Sequence, residues 1–259
     1  MASNDLLRRA FSRMASSNEA YFVLRSRFVQ SHSYMCIAQY ILGIGDRHLD
    51  NTLIDMTTGA CVGIDFGHAF GSATQLLGVP ELVPFRLTHQ MLTFLSPIKD
   101  ASPYKQYMMS ALHALRKQSA LLLNTMDVFI QEPLLDWQKY ALKLEARMKS
   151  SNEKGKTNVW DPRFKVNVCK MKLSGINPAY IMSQDLEYGV FLNNKSLNRK
   201  VQAVAEGDPH QNYRAAMLKA TKDPSTHVLN VEEQVDCLVD LATDKNVIGR
   251  IFSGWSPWI

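Results

Sequence analysis

Asp46 and Asn51 lie five positions apart in Gly43-Ile44-Gly45-Asp46-Arg47-His48-Leu49-Asp50-Asn51, and Asp65 follows Asn51 by fourteen positions in Ile64-Asp65-Phe66-Gly67-His68. This spacing limits the fold more than any other stretch. The segment between the two motifs reads strand, turn, strand: Leu53-Ile54-Asp55-Met56, then Thr57-Thr58-Gly59, then Ala60-Cys61-Val62-Gly63-Ile64. A hairpin of that length brings the chain back to its start, so Asp65 is expected beside Asn51. Two carboxylates and an amide oxygen then converge at one end of a ribbon with glycines on both flanks. A plainer account makes Asp46 a turn residue, Asn51 an Asx cap and Asp65 a strand-end turn. It explains each residue singly but not their convergence.

Carboxylate and amide oxygens are hard ligands of the kind Mg2+ takes when it sits on nucleotide phosphates. Protein kinases use an Asp to accept the substrate hydroxyl proton, an Asn five residues on to hold magnesium, and an Asp-Phe-Gly aspartate to hold magnesium on the phosphates. Asp46, Asn51 and Asp65 fit those roles in type and spacing, with one departure: the order is Asp-Arg-His rather than His-Arg-Asp. Asp46 is the candidate to accept the proton or orient the attacking oxygen. His48 has two chemical roles open to it, sharing that task or stabilising phosphate charge, beside the plainer one of packing the loop. Arg47 is counted with the catalytic loop, its guanidinium suited to a buried fork on carbonyl or carboxylate oxygens. Leu53 and Ile64 flank the ligands, either as the floor under adenine or as ordinary core.

The inverted order carries a resemblance. Gly-Asp-Arg-His-x-x-Asn with Ile-Asp-Phe-Gly-His resembles the phosphatidylinositol 3-kinase superfamily, and the wider text resembles its protein-kinase branch, the phosphatidylinositol 3-kinase-related protein kinases. The stretches that carry it are Tyr40 to His48, Gly67 to Gln75, Val79 to Thr88, Val231 to Val235, Ala242 to Asp244 and Ile248 to Ile259. The match runs from about Asp5 to Ile259 and is weakest between Ser150 and Lys222. The resemblance implies the C-terminal lobe of a PI3/PI4-kinase-like domain over residues 1–149, a basic, less regular connecting or regulatory region over 150–229, and a FATC-like helical tail over 230–259. It also implies ATP with Mg2+, or Mn2+ in its place, and phosphorylation of Ser or Thr followed by Gln. Protein substrates, nuclear localisation and double-strand break repair by non-homologous end joining follow from the same resemblance. DNA and DNA-end-binding repair proteins would be engaged through the rest of a longer protein.

The fold class expected is mainly α (α+β kinase-like), with the one catalytic-loop hairpin. Ser16 and Glu19 read as a capping box opening a helix through Phe28, and a second helix fits Ser33 to Leu42, with Tyr34, Ile37, Ala38 and Ile41 on one face and Gly43 past its end. A Gly-rich, non-periodic stretch follows Asp65 as far as Pro84. Helices are expected over Phe85–Leu95, from Ser102-Pro103 through Leu115, over Ser119–Ile130, along a stripe from Leu134 to Met148, and over Val231–Ala242. Trp255 and Trp258 are expected to dock.

Hydrophobic content of 46% and charged content of 20% belong to an ordinary globular chain. No apolar run approaches the ~18 residues of a membrane span, and no membrane association is expected. Four scattered cysteines favour structural thiols over a disulfide framework. Between Lys139 and Lys172, ten Lys or Arg face three acids, a surplus of +7 within a chain of net charge +5. That surplus reads either as a solvated connector or as a surface for acidic partners.

From Asp65 to Phe85 there is no Lys or Arg, which favours a neutral protein segment over a phosphoinositide headgroup as substrate. Upstream of Gly43 the chain has no glycine, so no glycine-rich phosphate loop or strand lysine is expected there. Two further readings therefore stand beside the kinase: a catalytically silent fragment acting as an interaction module, and a lipid kinase fragment.

Overall fold

The computed structural model describes residues 3–76, 81–98, 101–131, 162–187 and 228–249. These residues are mainly helical, with a single two-stranded antiparallel sheet among them. Helix α1 (Leu6–Met14) leads into α2 (Asn18–Leu42), a 25-residue helix. The 3-10 turn Leu49–Asn51, strand β1 (Thr52–Ile54) and strand β2 (Cys61–Gly63) follow, then α3 (Ser72–Leu76) and α4 (His89–Phe94). Helices α5 (Ser102–Lys117), α6 (Ser119–Gln131), α7 (Pro162–Ser174), α8 (Pro178–Glu187), α9 (Val231–Thr243) and α10 (Lys245–Ile248) complete the described chain.

Helix α2 corrects the expected pair of helices. It starts one residue late, because Ser17 rather than Ser16 is the cap and accepts from the Ala20 amide at 3.1 Å. It then runs through the expected break. The Ser31 hydroxyl donates to Arg27 O and the Ser33 hydroxyl to Val29 O, each at 2.7 Å. A serine that bonds back one turn does not interrupt a helix. The buried face also differs: Phe28, Val29, His32, Cys36, Ile37, Tyr40 and Ile41 point inward, whereas Tyr34 and Ala38 are exposed.

Other expectations shift by small amounts. The stretch after Asp65 contains the short helix α3, and the helix expected from Phe85 begins at His89, capped by the Thr88 hydroxyl. Helix α5 starts at Ser102 with proline in its first turn and buries Tyr104, Met108 and Leu112. The stripe from Leu134 to Met148, the loop at Ser150–Thr157, and Trp255 and Trp258 lie outside the described residues.

The main core lies around α2. Phe11 of α1, Phe28 of α2 and Phe94 of α4 form an aromatic trio with ring centroids 4.7 to 5.5 Å apart. Helices α5 and α9 close its other side. Helix α9 opens with a complete capping box between Asn230 and Glu233.

The C-terminal end of α2 has its orphan carbonyls satisfied by distant groups. Gly43 adopts the left-handed cap, φ 60°. Lys172 Nζ of α7 donates to Tyr40 O at 2.7 Å, and the Cys169 thiol donates to Ile41 O at 3.0 Å. A cation on helix C-terminal carbonyls also complements the helix dipole. Gln234 of α9, fully buried, donates to Lys172 O at 2.9 Å and accepts from Arg116 at 2.6 Å. Lys165 and Lys172 of the basic stretch are thus interior residues, 3% and 7% exposed, not parts of a solvated connector. Among the described residues no helix is long and apolar enough to cross a membrane.

His32 is sealed between Phe28 and Tyr104. Burial lowers its pKa from the ordinary 6.5 to about 4, against an opposing hydrogen bond to the Arg86 backbone. The folded chain keeps the ring neutral where the unfolded chain protonates it. Stability therefore falls as pH drops from about 6.5 to about 4, by up to ~3 kcal/mol. Urea unfolding at pH 7 and pH 4.5 checks this, and His32→Gln is expected to flatten that part of the pH dependence.

Candidate active site

The site begins where α2 ends. Gly43 and Gly45 let the departing chain run against the segment after Asp65: Gly45 N donates to His68 O, Phe70 N to Leu42 O, and Gly71 N to Gly43 O, each at 2.8 Å. A Cβ on Gly45 would fall 2.1 Å from Ala73 Cβ and 2.8 Å from Glu81 Oε2. Only glycine fits there.

The hairpin returns Asp65 to Asn51, as the spacing predicts. Thr52 pairs with Gly63, Leu53 with Val62 and Ile54 with Cys61. Ile64 N then donates to Asn51 O at 3.0 Å, so Asp65 is the next residue past that pairing. The turn is tied by Asp55, whose carboxylate accepts from Thr57 N at 2.8 Å and the Thr58 hydroxyl at 2.6 Å.

Both aspartates of the motif sit in left-handed backbone, Asp46 at φ 56° and Asp65 at φ 54°. Asp tolerates this region better than most side chains, but it costs energy that the surroundings must supply. Three groups supply it. Asn51 Nδ2 donates to Asp46 O at 2.9 Å. Arg47, 2% exposed, donates through Nε to Gly45 O at 2.7 Å, through Nη1 to Ile64 O at 2.9 Å and through Nη2 to Asp65 O. Glu81 accepts from the Asp46 amide on Oε2 and from the Arg47 amide on Oε1.

Glu81 is a residue that sequence reasoning passed over. It is 8% exposed, and burial pushes its pKa up from 4.5 to about 7 against the two amides and the Arg47 charge. Burial also lowers the Arg47 pKa, with Glu81, Asp46 and Asp65 opposing. Arg86 is buried within electrostatic reach of Glu81. The signal was present in the sequence: Glu81 is the one charged residue between Phe66 and Pro84, set among Val79, Pro80, Leu82 and Val83. A lone acid in an apolar run calls for a buried donor.

The predicted residues fall into two groups by exposure. Asn51 and Arg47 are buried. The Asp46 and His48 side chains are 34% and 28% exposed, with His48 Nε2 4.0 Å from Asp46 Oδ2. Asp65 is exposed, its Oδ1 accepting from Gly67 N at 3.2 Å. Leu53 and Ile64, 51% and 37% exposed, are not core residues among those described; Val62, which pairs with Leu53, and Phe66 are exposed as well.

By donor type, an amide oxygen and a carboxylate are ligands that Mg2+ accepts. Asn51 spends its Nδ2 on the loop, which leaves Oδ1 as an acceptor, and Asp65 presents a carboxylate at the surface. Asp46 stands close by with a carboxylate able to take a proton.

Comparisons with known proteins show the family of the chain. Residues 1–139 match the family described as phosphatidylinositol 3- and 4-kinase, and residues 228–259 match the FATC domain. The chain is 45% identical to the DNA-dependent protein kinase catalytic subunit of Xenopus laevis, over 100% of this chain and 6% of that protein. It is 29% identical to the serine-protein kinase ATM of Sus scrofa, over 92% of this chain and 7% of that protein. The solved FAT and kinase domain of CtTel1 superposes with a TM-score of 0.57 at 21% identity, covering 98% of this chain and 14% of that one. That last likeness is one of fold alone. The chain spans about 6% of the length of the first curated relatives it matches.

Arg47→Lys tests the fork. An ammonium cannot reach three carbonyls in one plane, so the variant is expected to lose about 2–4 kcal/mol of stability, read from the urea midpoint.

Proposed function

Starting from the phosphatidylinositol 3- and 4-kinase family, to which this chain belongs, we propose that it carries the phosphoryl-transfer half of a serine/threonine protein kinase. The observation that supports this most directly is the pairing of Asn51 with Ile64, which puts Asp65 at the mouth of the hairpin while Asn51 itself holds Asp46. In this reading Asn51 and Asp65 hold Mg2+, or Mn2+ in its place, on the phosphates of ATP. The ion neutralises charge on the transferring phosphoryl group when bound. Leu53 and Ile64 offer an apolar floor to adenine. Asp46 accepts the proton of the substrate hydroxyl, His48 borders the transferring group, and Arg47 keeps the loop in place without touching substrate.

Residues 1–149 act as the catalytic lobe, 150–229 as a basic connecting or regulatory region, and 230–259 as a supporting tail. The buried Gln234 contacts described above give that tail a physical route to the end of α2. The uncharged stretch after Asp65 favours a protein substrate, with Ser or Thr followed by Gln as its site. The similarity to the DNA-dependent protein kinase catalytic subunit supports a nuclear role in double-strand break repair by non-homologous end joining. DNA and end-binding proteins would be met by the rest of a longer protein.

The test is phosphate transfer from ATP by a full-length kinase carrying this chain, offered a Ser-Gln peptide and, separately, phosphoinositide vesicles. Transfer to the peptide alone is expected. Asp65→Ala is expected to abolish it, and Asp46→Ala to slow it ~10²–10⁴-fold. Transfer to lipid alone would overturn the substrate assignment, and unchanged turnover in Asp46→Ala would remove that residue from the chemistry.

A further inference from the structure

The geometry points to Glu81 as a positioning residue that holds Asp46 in its left-handed, reactive conformation through the backbone amides of Asp46 and Arg47. This rests on the proposed kinase reading for its consequence, but not for its geometry.

The carboxylate reaches the loop from 35 residues away in sequence. One oxygen takes the Asp46 amide and the other takes the Arg47 amide. Two successive N–H groups aimed at one carboxylate form a concave anion site made of backbone. Asp46 has positive φ in this arrangement, so the two amide bonds offset part of the cost of that conformation. No apolar residue could do this, and an amide could do half of it: a glutamine offers one accepting oxygen and an NH2 group that repels an N–H.

Glu81 is itself held. The Thr74 hydroxyl donates to Glu81 O at 2.8 Å. Gly45 has no side chain because Glu81 Oε2 and Ala73 fill that space. Leu82 and Val83, next in the chain, are buried in a cluster with Ala179 and Met182 of α8 and Cys237 and Leu241 of α9. The segment that supplies Glu81 is therefore seated on the C-terminal helices. A shift of that segment would move the carboxylate, and with it the Asp46 backbone, without any contact to nucleotide. Misplacement of a reacting group by about 1 Å costs on the order of 10²-fold in rate.

The effect is thus expected in turnover rather than in nucleotide binding. In a full-length kinase carrying this chain, Glu81→Gln is expected to lower kcat about 10- to 100-fold while the KM for ATP stays within about 2-fold. A merely structural role would move neither in this selective way. The second measurement needs no activity: amide resonances of Asp46 and Arg47 in this chain. In the unaltered chain both are expected downfield and protected from exchange, and in Glu81→Gln at least one is expected to move upfield and lose protection. Unaltered kcat in Glu81→Gln, or unprotected Asp46 and Arg47 amides in the unaltered chain, would overturn the assignment. If the variant fails to fold, the unaltered chain's amides decide alone. An unaltered kinase that transfers no phosphate would sink the proposed function, while the amides still judge the role of Glu81.

Discussion

One guanidinium joins the two halves of the candidate site. Arg47 lies in the loop that carries Asp46, yet its fork closes on carbonyls of both that loop and the strand end that carries Asp65. Beside it, the loop and the hairpin are linked by the Asn51 pairing and by the backbone bonds that join Leu42, Gly43 and Gly45 to the segment after Asp65. A guanidinium suits the task because it is planar, stays charged at any working pH, and offers several donors at fixed angles. Burying it is costly, and the cost is offset in part by three carbonyls and the nearby Glu81, Asp46 and Asp65 charges.

Around that fork the structure arranges support in layers. The end of α2 is fastened by Lys172 and the Cys169 thiol from α7, and α7 is fastened in turn by Gln234 of α9. Glu81 braces the loop itself, and its neighbours Leu82 and Val83 rest on a cluster shared by α8 and α9. The C-terminal helices therefore meet the loop at two places, one through hydrogen bonds at the helix end and one through apolar packing. The side chains of Asp46, His48 and Asp65, the residues proposed for the chemistry, are the ones left without this burial.

Much of the fold was legible because it rests on local rules. The hairpin was readable from β-type residues around a Thr-Thr-Gly turn, and Gly43 from its place after a helical stripe. Helix α5 announced itself through Ser102-Pro103, and α9 through its apolar spacing. The errors have equally local causes. The interval between Phe28 and Ser33 looked like a break, yet the hydroxyls of Ser31 and Ser33 bond back along α2. The basic surplus read as a solvated connector or a surface for acidic partners, yet Lys172 is spent on the carbonyl at the end of α2. Leu53 and Ile64 were ambiguous because an apolar strand residue looks the same in sequence whether it faces core or cleft.

The sequence by itself supplied the candidate groups, Asp46, Asn51 and Asp65, and the hairpin whose strands pair so that Ile64 returns to Asn51. It also carried the family resemblance in the order Asp-Arg-His. Tertiary structure decided how those groups are held. The left-handed backbone at Asp46 and Asp65, the reach of Arg47 to the far strand end, and the arrival of Glu81 from 35 residues away all depend on contacts distant in sequence. A strained backbone conformation is set by the partners that compensate it, and those partners are chosen by packing, which residue spacing does not encode.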